Sequence, residues 1–206
     1  MERRNNYDIS KEQARVLFLN FDQEAICRRL NLPATETEIP IRFLGEQYSI
    51  RRSDGQILRV SDGSKANFST VLSVYDMLTH STGPVALKGE FVPITALNGV
   101  HGTQAVHDDL DGRGAAAFAG RMEELHRICR AWGGVPTQPG DVAYILPVFD
   151  WLPVCLRFWD ADDEFPAALH FFWDANVRQY LHYETLWYIA GELTDRLVRK
   201  LKELEN

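Results

Sequence analysis

Two short segments concentrate the side chains able to do chemistry. The first reads Asn98-Gly99-Val100-His101-Gly102, followed by His107-Asp108-Asp109-Leu110-Asp111-Gly112. Imidazole and carboxylate groups in one glycine-bearing loop ligate metals or move protons. His107 and His101 are the candidate ligand contacts here, and Asp108, Asp109 and Asp111 the candidate metal carboxylates. The segment lacks the helical setting that an H-E-x-x-H site needs. The plainer reading is a surface loop ending in a Leu-Asp-Gly turn. The second segment is Trp159-Asp160-Ala161-Asp162-Asp163-Glu164-Phe165-Pro166. Carboxylates this dense repel one another unless water or a cation screens them. Asp162, Asp163 and Glu164 offer the oxygen ligands that suit Ca²⁺ or Mg²⁺, although the spacing is not that of an EF-hand loop. The plainer reading is a solvated connection between two strands.

Aromatic residues supply the third signal. More than half of them fall between Tyr144 and Tyr188. Tryptophan pairs a large apolar face with a polar tip, which suits a groove for a flat ligand. Trp159 and Trp173 are the candidate walls of such a groove, with core packing as the alternative. The sequence has no phosphate-binding glycine loop, no dinucleotide fingerprint and no nucleophile elbow. The histidines at 80, 101, 107, 126, 170 and 182 are scattered, and His126 reads as structural.

The elements that must position these residues follow from periodicity. Ser10 and Gln13 form a capping box, and Ala14, Leu17, Phe18, Phe21 and Ala25 form one apolar stripe. These predict a first helix running to about Asn31, stopped by Pro33. Alternation at Ile39, Ile41, Phe43, Tyr48 and Ile50, then Ile57 to Val60, predicts a small antiparallel meander with Ser-Asp-Gly turns. Phe68, Val71, Leu72, Tyr75 and Leu78 predict a helix over about 68–79, capped by Asn67 or Ser69. A short strand is expected around Glu90-Phe91-Val92. A third helix is expected from Ala115 through Trp132, ended by Gly133-Gly134. Strands are predicted around 142–146, 154–159 and 168–173. A last helix is predicted from Tyr183 to Glu203, with Leu186, Ile189, Ala190, Leu193, Leu197 and Leu201 buried and Glu192 and Arg196 on its polar side. The fold expected is one α+β domain over 1–206, a mainly antiparallel sheet packed against about four helices with a long C-terminal helix.

Composition narrows the function. The chain has 206 residues, a formal net charge of −7 and 45% hydrophobic residues. That excludes disorder, and the acidic balance argues against nucleic acid as a partner. No apolar run approaches the roughly 20 residues of a membrane span. The start, Met1-Glu2-Arg3-Arg4, leads into polar sequence without a signal-peptide core. Cys27, Cys129 and Cys155 form no C-x-x-C pair and sit among apolar neighbours, so they read as buried thiols in a reducing, cytoplasmic setting.

The run Phe158-Trp159-Asp160-x-Asp162-Asp163-Glu164-Phe165-Pro166-Ala167, then Phe172-x-Asp174 and Tyr180-Leu181-x-x-Glu184, resembles domain-of-unknown-function family 3786. Val74-Tyr75-Asp76-Met77-Leu78, Gly83-Pro84 and Gly133-Gly134 are similar to its middle part. The resemblance implies a domain found mostly in anaerobic bacteria and archaea, some members of which are fused to a cysteine-rich iron–sulfur domain. This chain has no such cysteine motif, and the resemblance assigns no catalytic residue. Three functions are therefore expected: a module binding a small molecule or tetrapyrrole-like cofactor, a metal-assisted enzyme, or a protein-interaction module using the acidic loop.

Overall fold

A computed structural model of the chain describes residues 6–81, 83–97 and 112–205. The fold is α+β, as the patterns predict. It has two antiparallel sheets and a long C-terminal helix. The chain divides into two compact units, each built from two separate segments. Neither unit is therefore a continuous piece of sequence.

The first unit takes residues 1–86 and 178–189. It opens with α1 (Asn6–Leu19) and α2 (Gln23–Leu30), where one helix to Asn31 was expected. The break lies at Asp22, whose side chain caps α2 by accepting from the Ala25 N–H at 3.0 Å. Ser10 is not a cap. It lies inside α1, and its hydroxyl donates to the Asn6 carbonyl at 3.0 Å. The apolar stripe also divides. Phe18 is fully buried, whereas Leu17 and Phe21 are exposed. Next come β1 (Glu38–Phe43), β2 (Glu46–Arg51) and β3 (Ile57–Arg59), paired in that order as the predicted meander. Ile39, Ile41, Phe43, Tyr48, Ile50 and Ile57 turn inward from it. Helix α3 (Phe68–Thr79) has the predicted bounds, and its Asn67 cap accepts from the Thr70 N–H at 2.9 Å.

The second unit takes residues 87–177 and 190–206. Its sheet has the order β4-β8-β7-β6-β5. These strands are β4 (Phe91–Pro93), β5 (Val135–Pro136), β6 (Val142–Phe149), β7 (Leu152–Trp159) and β8 (Ala168–Asp174). The expected third helix is two. Helix α4 spans residues 112–118 and α5 spans Met122–Ala131. Gly120 separates them at φ +71, a conformation that L side chains avoid. Helix α6 (Tyr183–Leu204) buries the six apolar residues predicted for it. Glu192 and Arg196 correct the expectation. They are buried, 6% and 4% exposed, as an ion pair of 2.7 Å.

All three cysteines are buried and unpaired. Burial raises each thiol pKa, that of Cys129 up to about 12. Because the thiolate is the reactive species, a disulfide-exchange reagent at pH 8 should label none of the three in the folded protein and all three after denaturation. A thiol count by absorbance checks this.

Candidate metal centre

The first unit assembles Asp76, His80 and His182. Asp76 and His80 stand four residues apart at the C-terminal end of α3, which places them as neighbours on one helix face. His80 caps that helix, its N–H donating to the Asp76 carbonyl at 2.8 Å. His182 arrives from far along the chain, in the residue before α6. Two anchors deliver it. Leu181 is fully buried. The Tyr180 hydroxyl donates to the Ala86 carbonyl at 2.9 Å and accepts from the Ala86 N–H at 2.7 Å.

One carboxylate then holds His182 twice. Asp76 Oδ2 accepts from the His182 backbone N–H at 2.8 Å, and Asp76 Oδ1 lies 2.5 Å from His182 Nδ1. A carboxylate only accepts, so the shared proton sits on Nδ1 and Nε2 is left for another partner. The two imidazole rings stand 3.8 Å apart at 47°. His80 Nε2 is 3.4 Å from the Arg178 carbonyl oxygen. Asp76 is mostly buried, with an 11% exposed side chain, while the His182 side chain is 57% exposed. The cluster therefore has a fixed acidic floor and an open histidine rim.

One ligand atom from each of the three residues lies within 4.8 Å of the others. An ion bonded at about 2.0–2.2 Å holds its ligands up to roughly 4.2 Å apart. The three atoms lie somewhat wider than that, with the His182 ring held at Nδ1 by Asp76. Two imidazoles and a carboxylate suit Zn²⁺, Fe²⁺ or Co²⁺ better than the all-oxygen set preferred by Ca²⁺ or Mg²⁺.

The residues singled out from sequence fall elsewhere. His101, His107, Asp108, Asp109 and Asp111 lie outside the described residues. Trp173 is a core side chain, 1% exposed. Trp159 is half-buried on β7, its ring 6.0 Å from that of His170. In the connection between β7 and β8, Asp160 is half-buried and residues 161–166 are exposed. Asp160 accepts from the Gly120 N–H at 2.9 Å. Asp162 Oδ1 accepts from the N–H groups of Phe165 and Glu164 at 2.7 and 2.8 Å, which lowers its pKa. Asp163 and Glu164 are exposed. Among the described residues, none of these carboxylates joins a cluster able to hold an ion. The D-x-x-x-H spacing of Asp76 and His80 is the local signal for the cluster found among the described residues. His182 carries no local signal.

This is an α+β protein with a two-histidine, one-carboxylate cluster in its first unit. Residues 22–196 match the family model described as Domain of unknown function (DUF3786), and the chain belongs to that family. Comparison with curated proteins and with solved structures finds no match. No helix among the described residues is long and apolar enough to cross a membrane.

Proposed function

We propose that this protein binds one divalent transition-metal ion through Asp76, His80 and His182, and that it acts as a metal-assisted enzyme. The observation that carries the reading is the convergence of three ligand atoms of the right chemistry within 4.8 Å. It moves the metal-assisted function from the two acidic loops to α3 and the residue before α6. Structural zinc sites close with four protein ligands, whereas catalytic sites keep three and leave a position for water. This cluster offers three, beside an exposed rim. Held by Asp76, His80 and His182, such an ion would supply Lewis-acid activation of a water near neutral pH. The geometry supports this reading over the tetrapyrrole one, because Trp173 belongs to the core. The three unpaired buried thiols support a reducing, cytoplasmic setting.

Cobalt titration tests the proposal. One equivalent of Co²⁺ should give visible ligand-field bands, and added azide should shift them by entering the open position. Absence of bands refutes binding. Bands that azide leaves unchanged refute the open position.

A further inference from the structure

Arg178 lies in a short 3-10 turn, Val177–Gln179, and is tied to both histidines of the cluster. Its backbone carbonyl oxygen is 3.4 Å from His80 Nε2. Its guanidinium carbon is 5.8 Å from the centroid of the Tyr183 ring, and Tyr183 directly follows His182. All of these residues belong to the first unit. Among the described residues the Arg178 side chain makes no ion pair or hydrogen bond. A charged guanidinium thus stands beside the open histidine rim with no counter-charge.

The side chain is held rather than free in water. Arg178 is half-buried, and its Nε is buried without a partner. The contact with the Tyr183 ring fixes the group further but engages none of its donors. Nη1 and Nη2 are not buried, so they form the accessible edge of the fork. Partial burial of a charge is costly unless an opposite charge compensates it. Arg29 shows the contrast. It also reaches the end of α3, but its Nη2 donates to the Leu78 carbonyl at 2.7 Å and closes that helix end. Asp76 does not compensate Arg178, because both of its oxygens are turned to His182.

We propose, given the metal reading of this cluster, that Arg178 anchors its substrate, and that the substrate is a small molecule bearing a carboxylate or phosphate group. A planar guanidinium matches two oxygens of such a group with two parallel N–H bonds. A divalent ion at Asp76, His80 and His182 outweighs the single carboxylate charge, so the loaded centre and Arg178 attract an anion together. A neutral substrate would leave the Arg178 charge uncompensated, and a cationic one would be repelled.

The probes are inorganic phosphate, acetate and imidazole, each titrated into the cobalt-loaded full chain and read from the ligand-field bands. All three can enter an open metal position, but imidazole brings no negative charge. Arg178→Gln should weaken phosphate or acetate binding about tenfold or more, the loss expected for charge-assisted hydrogen bonds. It should leave imidazole binding unchanged. A loss for phosphate alone assigns a phosphate-bearing substrate, a loss for acetate alone a carboxylate-bearing one, and either supports the anchor. Arg178→Lys keeps the charge without the fork and should recover part of the affinity, which a packing role against Tyr183 would not do. Arg199→Gln, at an exposed position of the second unit, should change none of the three. The anchor is overturned if Arg178→Gln binds both oxyanions as the wild type does, if imidazole weakens alongside them, or if Arg199→Gln has the same effect. In those cases the bands persist and the metal centre stands. A wild-type chain without bands refutes the metal centre, and the anchor falls with it.

Discussion

Replacing Asp76 by asparagine is expected to weaken zinc binding by about 100-fold or more. Loss of an outer-shell partner already costs about 10–100-fold in many metal sites. Asp76 would do more, since it is one of the three proposed ligands and also holds His182 by two contacts. Calorimetric titration of the purified chain with Zn²⁺ measures the change. A thermal-unfolding series gives a second readout, because zinc at a hundredfold excess over its Kd stabilises the wild-type fold by about 2.7 kcal/mol. The Asp76→Asn variant should show almost none of that gain. His80→Ala separates the metal reading from a merely structural tie. It leaves the Asp76–His182 contacts in place, so stability without zinc should stay near wild type while the zinc-dependent gain is lost. If His80→Ala keeps the full gain, the cluster is a structural pin and the metal function falls.

The sequence carried much of this fold, and the reason is local. Alternation at Ile39, Ile41 and Phe43 and helical spacing over Phe68–Thr79 arise from neighbouring residues sharing one face, so the elements appear where the patterns put them. The errors occur where a local pattern spans a break. Phe21 and Ala25 keep helical spacing across the Asp22 cap, and Phe118 and Met122 keep it across Gly120, so each broken pair reads as one helix. Leu17 and Phe18 show a second limit. They differ by about 100° around the helix, and only the position of α3 decides which of them is buried. The candidate centre was half legible. Asp76 and His80 have ligand spacing, Asp76 in the last turn of α3 and His80 at its cap. His182 lies 106 residues from Asp76, and no periodicity links residues so far apart.

The buried pair in α6 is expected to give the largest stability effect. Glu192 and Arg196 look like a solvated i, i+4 pair, yet their side chains are 6% and 5% exposed. Glu192→Ala removes the 2.7 Å ion pair to Arg196 from a buried setting, and losing one member of such a pair costs about 3–5 kcal/mol. Glu192→Ala should therefore shift the guanidinium unfolding midpoint strongly downward with little change in slope. The double replacement Glu192→Leu with Arg196→Met behaves differently. It removes both desolvation costs and fills the space with apolar atoms, so its stability should equal or exceed that of the wild type, by up to about 4 kcal/mol. The comparison identifies what the pair does. A double variant as unstable as Glu192→Ala would mean that the two side chains hold the surrounding structure through further polar contacts. A double variant at or above wild type would mean that the pair costs stability, and that α6 tolerates it because its leucines at 193, 197 and 201 are nearly fully buried.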